Sequence, residues 1–458
     1  MSPRVVVVGA GLAGLSVAFR LRQLRPDVQL TLLESRGRPG GNVGTLAADG
    51  FRLETGPNGF LDSKPGALAL CRDLGLGDRL VAASEGSRKN RFVYADGRVQ
   101  KLPASPVGLL TTRLLSLGGK LSLLREPFRR RPADAPADES VAAFARRRFG
   151  PEAAAAFIDP LVTGILAADP ERVSVRAAFP RLVEFERDRG SVLRGFLAAA
   201  KQKRREAEAR GETRQPTRMW SFREGLQAMV DALRERAGDA LVCGVRVTRV
   251  EKTADGWAVH ADGRDRWAAD AVVLAAPAYE QAAAVADLDP ALAADLAGIA
   301  YNRIAVAGLG YRVADVPAVP DGFGYIAPGR LKRDVLGVQW CSSIFPDRAP
   351  PGFVLWRALC GGAGRPDLFD LSDDELVRRC HAELAHTLGV TGPPAFVRVV
   401  RWPNAIPQYH LGHPDRVARI EAAVARHPGL FVTGNALHGV ALSDVTEDAS
   451  RVATRLAR

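Results

Sequence analysis

The chain opens with Val5-Val6-Val7-Val8-Gly9-Ala10-Gly11-Leu12-Ala13-Gly14. It runs through an apolar stretch to Leu30-Thr31-Leu32-Leu33-Glu34, then passes Ser35 to reach Arg38-Pro39-Gly40-Gly41-Asn42-Val43-Gly44-Thr45. The valines read as a buried strand, the glycines as a tight turn, the next run as a helix, and Leu30 to Glu34 as a second strand. Gly9 permits the turn, Gly11 lets a pyrophosphate approach the backbone, and Gly14 lets the helix lie close on the sheet. The helix start, Leu12 and Ala13, offers unpaired N–H groups to phosphate. Glu34 lies twenty residues past Gly14, where a carboxylate can accept from a ribose hydroxyl. A bare GxGxxG also fits a glycine turn with no ligand. The strand before it, the helix after it and the acid beyond favour a dinucleotide site on a Rossmann-type domain.

The remaining composition bounds the class. A length of 458 residues suggests two or three domains, and 47% hydrophobic with 25% charged residues is ordinary globular composition. No apolar run reaches the ~18 residues of a transmembrane helix, and Val5 to Val8 is too short for a signal peptide. A cytoplasmic location is therefore expected. The five cysteines are scattered without a CxxC pair, which predicts reduced thiols and no metal site. The net charge of +12 favours acidic partners, among them anionic lipid or an anionic substrate. Much of it is local: Arg88 to Arg131 holds eleven Lys and Arg against two acids. Leucines interleave there, suiting either an amphipathic element on anionic lipid or a buried helix pair with a solvated basic face.

Further along, Gly56-Pro57-Asn58-Gly59 reads as a hairpin turn or a second backbone approach to the cofactor. A helix is expected from Pro65 to Leu80, and a hairpin turning at Ala95 to Arg98. Helices are predicted over Glu139 to Ala168, with Phe144, Phe149, Phe157, Leu161 and Ile165 on a core stripe, over Phe179 to Arg210, and from Trp220 to Arg236. Ala271 to Pro277 reads as a central strand of the nucleotide-binding sheet. The chain closes with an apolar strand into Gly434, then Val440-Ala441-Leu442 and a final helix, a second place to hold a large cofactor.

Glu34 with Arg38-Pro39-Gly40-Gly41 and Thr45 resembles the ExxxRxGGxxxT extension of flavin amine oxidases, phytoene desaturases and protoporphyrinogen oxidases. Further segments are similar to the protoporphyrinogen oxidase family in its order: Gly56-Pro57-Asn58, Asn90-Arg91-Phe92-Val93-Tyr94, Gly164 to Asp169, Gly322-Phe323-Gly324, Arg401-Trp402-Pro403 and Gly434 to Asp444. Departures are Gly59, where the family commonly has Ser, and Ile165-Leu166-Ala167-Ala168 after Gly164. The resemblance implies an α/β (α+β) chain: a Rossmann-type FAD-binding domain, a mixed-sheet substrate domain and a helical membrane-associating insertion. The implied boundaries are 1–87, 211–285 and 401–458 for the FAD domain, 88–210 for the helical and pocket region, and 286–400 for the substrate domain.

It further implies FAD contacts from Gly9, Ala10, Gly11, Leu12, Ala13, Gly14, Glu34, Ser35, Arg38, Gly41 and Asn42. Gly56, Pro57, Asn58, Gly59, Val247, Trp402, Gly434, Val440, Ala441 and Leu442 complete that set. Arg91 would pair a substrate propionate, Phe323 and Ile326 would sandwich a tetrapyrrole, and Gly164 would wall the pocket; the alternative for Arg91 is a surface hairpin cap. No catalytic side chain is nominated, since hydride goes to the flavin N5. The implied reaction is oxidation of protoporphyrinogen by O2, with coproporphyrinogen as the nearest alternative. A flavin amine oxidase is a further alternative, although Ile406 to Ser443 lacks the cysteine that often tethers FAD there. The expected partners are a porphyrinogen, O2, a peripheral contact with the inner face of the cytoplasmic membrane, and a second copy in a homodimer; no nucleic acid is expected.

Overall fold

A computed structural model describes residues 2–132, 134, 136–209, 211, 216–263 and 266–458. The chain forms two compact units. One comprises Met1–Ala82, Met219–Tyr301 and Pro414–Arg458, the other Ala83–Arg218 and Asn302–His413.

The first unit is built on a five-stranded sheet in the order Leu241–Cys243, Gln29–Glu34, Arg4–Val8, Ala271–Leu274, Leu430–Val432. All four pairings are parallel. Val5 and Val7 enter a core with Leu15, Met229 and Ala449, whereas Val6 and Val8 enter another with Trp257, Leu292 and Ile420. Both faces of the strand are covered, so its sequence is apolar without alternation. Ala271–Leu274 sits inside the sheet, as its apolar run predicts.

The second unit carries a seven-stranded mixed sheet. Its order is Phe396–Trp402, Ile304–Arg312, Phe353–Gly361, Gly337–Gln339, Gly324–Ile326, Phe92–Ala95, Arg98–Lys101. The helix Asp373–Leu388 packs on one face. Three buried strand tyrosines bond to it: Tyr94 to His386 at 3.0 Å, Tyr311 to His381 at 3.1 Å and Tyr325 to Thr387 at 3.1 Å. Side chains alternate along a strand, so Ile326 points away from this helix, on the face opposite Tyr325.

Several expectations are corrected. The Phe92–Lys101 hairpin, assigned to the helical region, extends this sheet instead, because Phe92 and Val93 pair with Tyr325 and Ile326. Met219–Phe222 is a strand between Phe60–Leu61 and Leu80–Ala82, not a helix start. The helix there is Gln227–Ala237, entered through Gly225 at φ +97°. The expected Pro65-to-Leu80 helix is shorter, Gly66–Asp73. The expected Phe179-to-Arg210 helix is two, Pro180–Arg189 and Val192–Ala209, split where Gly190 turns left-handed; Arg210 lies outside the described residues. On the supposed core stripe Phe144 and Phe149 are buried, but Leu161 and Ile165 are exposed. Among the described residues no helix is long and apolar enough to cross a membrane, and no group of three His, Cys, Asp or Glu could hold a metal.

Candidate functional site

In the first unit the opening stretch forms a cradle. Gly9 adopts φ +99° and its N–H donates to the Leu33 carbonyl at 2.7 Å. A Cβ at Gly14 would collide with the Gly9 carbonyl, so helix and turn touch only because Gly14 lacks one. Beside Gly11 there is open space instead, with nothing within 4 Å of a notional Cβ. The helix Leu12–Leu24 starts at Gly11 without a side-chain cap, leaving its first N–H groups and partial positive charge available to an anion. The Gly40 N–H donates to the Ala10 carbonyl at 2.8 Å, and Gly41 lies against Gly11. Gly56 packs on the Asn42 carbonyl so closely that a Cβ would not fit. The 56–59 turn thus joins the cradle through Asn42. The Asn58 amide is buried with neither nitrogen nor oxygen partnered among the described residues. Burying an amide unpaired is costly, so Asn58 fits a cradle completed by a polar ligand.

Glu34 is tied to the turn itself. It is buried, and its carboxylate accepts from the Ala10 N–H and the Arg36 N–H, each at 2.9 Å. It therefore braces the turn from which a ribose would be held. Ser35 leans on the same carboxylate at 3.4 Å, and Arg38 reaches back to the Pro39 and Gly41 carbonyls. Val247 begins a strand two residues after Val245, whose N–H donates to the Glu34 carbonyl. A cleft that sequence spacing does not reveal is lined by Arg38, Arg234, Leu241 and Cys243, the last paired in register with Glu34. Its walls come from strands and helices far apart in the chain. Gly434 lies beyond the last strand at φ +132°, and Val440 and Ala441 lead into the helix Leu442–Leu456. His438 pairs with Glu421 at 3.0 Å.

The other expected residues lie in the second unit. Trp402 ends the edge strand Phe396–Trp402. The four expected substrate residues meet in two pairs at the strand Gly324–Ile326. The Arg91 guanidinium stacks over the Phe323 ring, 4.9 Å from its centroid. Phe323 precedes the strand Gly324–Ile326, and a Cβ on Gly164 would stand 2.5 Å from Ile326 Cδ1. Arg91 has no carboxylate partner among the described residues; it is solvent-exposed, yet desolvation by surrounding protein lowers its pKa. A cation that is reachable, crowded and unpaired is suited to an incoming anion.

Comparison with known proteins identifies the family. A model of flavin containing amine oxidoreductases matches residues 12–457. The chain belongs to that family. It is 32% identical to a chloroplastic protoporphyrinogen oxidase of Nicotiana tabacum, over 98% of this chain and 85% of that protein. It is 29% identical to the coproporphyrinogen III oxidase of Bacillus subtilis strain 168, over 96% and 95%. A crystal structure from Exiguobacterium sp. 255-15 superposes with a TM-score of 0.83 at 25% identity, covering 100% of this chain and 99% of that one. A flavin family and a dinucleotide cradle together make the cofactor FAD, and the chain an oxidoreductase.

Proposed function

We propose that this protein is an oxygen-dependent porphyrinogen oxidase acting in tetrapyrrole synthesis, with protoporphyrinogen IX as its main substrate. The observation that carries the reading is a pair of contacts within one unit of a flavin-family chain, Arg91 stacked over Phe323 and Gly164 set against Ile326. A porphyrinogen is a broad apolar ring edged by carboxylates. Arg91 offers a charge-assisted, fork-like pair to a propionate. Phe323 and Ile326 offer apolar surface to the ring, and Gly164 leaves it room. The cradle from Gly9 to Gly14, with Glu34, Asn42, Asn58, Val247, Gly434 and Val440 to Leu442, holds FAD in this reading. Bound FAD supplies hydride acceptance and reoxidation by O2, so that three rounds turn the porphyrinogen into a porphyrin and release H2O2. No side chain is nominated as acid or base; the proton lost with each hydride would pass to water or a neighbouring ring nitrogen, and the protein binds and orients the ring.

A second reading, coproporphyrinogen III as substrate, is favoured by the similarity to the Bacillus subtilis enzyme. The two are separated by supplying both porphyrinogens in parallel and following porphyrin fluorescence. A higher kcat/KM for protoporphyrinogen is expected. A higher value for coproporphyrinogen replaces the first reading by the second, and turnover of neither overturns both.

A peripheral membrane contact belongs to the same proposal. Leu117, Leu121 and Leu124 share one exposed face of the helix Leu117–Leu124, and Val107, Leu110 and Phe128 are also exposed. Lys120, Arg125 and Arg129 to Arg131 flank them. Leucines beside cations suit insertion at an anionic lipid surface. Co-sedimentation with phosphatidylserine vesicles is expected, and recovery wholly in the supernatant at low salt overturns it.

A further inference from the structure

The helix Asp159–Leu166 carries Gly164 and is fixed at both ends by side chains that sequence spacing did not single out. It follows a π-helical turn, Ala154–Ile158, a feature frequent at functional sites. At its start the Asp159 carboxylate accepts from the Gly329 N–H at 3.0 Å, from Arg330 at 3.1 Å and from the Thr163 hydroxyl at 3.3 Å. Arg330 also takes the Ala155 carbonyl, in the π turn, at 2.6 Å. Gly329 stands three residues beyond Ile326, so Asp159 ties the helix to the segment that follows the strand Gly324–Ile326.

At the other end the Asn302 amide donates to the Leu166 carbonyl at 2.8 Å and the Ala167 carbonyl at 3.2 Å, while its oxygen accepts from the Ile406 N–H at 3.1 Å. Gln408 donates to the same Leu166 carbonyl at 3.1 Å. Asp159, Asn302 and Gln408 are all buried. Between these anchors the helix exposes Leu161, Gly164 and Ile165. These stand at i, i+3 and i+4, one face of the helix. An apolar stripe is thus anchored at both ends and left exposed, with Gly164 set against Ile326.

We infer that Asp159 and Asn302 are positioning residues that hold the stripe Leu161, Gly164, Ile165 at a set distance from Ile326, making a flat apolar wall for the substrate ring. This rests on the porphyrinogen reading. The carboxylate and the amide act through the helix and do not touch the reacting atoms.

The test uses the full chain with FAD and the variants Asp159→Ala, Asp159→Asn and Asn302→Ala, assayed with protoporphyrinogen and coproporphyrinogen. Asp159→Ala and Asn302→Ala are expected to raise KM about tenfold, the loss of ~1.4 kcal/mol, with kcat within about threefold and the flavin absorption spectrum unchanged. Asp159→Asn keeps an oxygen acceptor for Gly329 and is expected to recover most of the KM. An unchanged KM in both alanine variants overturns the inference, as does an equal fall in kcat and kcat/KM. Hydrogen exchange is measured alongside at the amides of 162–167. Faster exchange there in Asp159→Ala, restored in Asp159→Asn, supports the clamp even if the unsubstituted enzyme oxidises neither porphyrinogen, in which case it is the substrate reading that fails. Unchanged exchange overturns the clamp whatever the substrate.

Discussion

Arg91 and Glu34 show how a single charged side chain acquires its task from its surroundings. Arg91 stacks on Phe323 and lacks a carboxylate partner among the described residues, so its charge remains available. Arg91→Ala is expected to raise the porphyrinogen KM about tenfold or more, the worth of a hydrogen bond to a charged group. The flavin spectrum should stay as it was, and unchanged steady-state kinetics would remove Arg91 from the site. Glu34 spends its carboxylate on the Ala10 and Arg36 N–H groups. In Glu34→Ala both donors lose their acceptor, at about 1–3 kcal/mol for each that stays buried. A lower flavin-to-protein ratio after desalting and a lower Tm are expected; full flavin retention would show that the brace is dispensable. Both residues were legible as important from motif position. The partners of Glu34 were not, because the carboxylate turns onto its own backbone.

At the scale of elements, helix ends and their caps govern stability. The Asp289 side chain caps the helix Pro290–Ala297 through the Ala291 and Leu292 N–H groups and pairs with His427 and Arg426. The Leu292 bond comes first among the effects that hold its pKa down to about 2. A carboxyl depressed in the fold contributes stability that is present above its unfolded value of about 4 and is lost as pH falls through the folded one. Asp289→Asn should therefore lower Tm at neutral pH and flatten its fall between about pH 5 and pH 2; an identical pH slope would exclude this linkage. Glu126 caps the helix Val192–Ala209 from outside, accepting from Ser191, Val192 and Leu193, and pairs with the fully buried Arg148. Removing one member of a buried pair costs about 3–5 kcal/mol. Glu126→Ala should lower the denaturation midpoint accordingly, and a shift below about 1 kcal/mol would argue that the network is solvated. No spacing rule joins Glu126 to Ser191, since the bond crosses 65 residues, and this is why two helices read as one.

Across the whole molecule, one unit bears the flavin cradle and the other the expected substrate residues. The net charge of +12 and the exposed leucines of Leu117–Leu124 predict that vesicle binding rises with anionic lipid and weakens with salt. Binding that ignores both would point to a purely apolar contact. The parallel porphyrinogen assay is likewise a whole-molecule test, because in the proposed reading Arg91 and Phe323 act together with the helix Asp159–Leu166, which is distant from both in sequence.

The sequence by itself determined the parallel sheet, the glycine turn and the cofactor class, because a buried strand, a tight turn and a helix start are local patterns within 45 residues. It also nominated Arg91, Gly164, Phe323 and Ile326 through motif resemblance. Only the tertiary structure decided that the Phe92–Lys101 hairpin belongs to the second unit's sheet, that Leu161 and Ile165 face outward, and that Asp159 and Asn302 anchor the helix between them. Those outcomes depend on hydrogen bonds and pairings between segments more than a hundred residues apart, and no local periodicity encodes them.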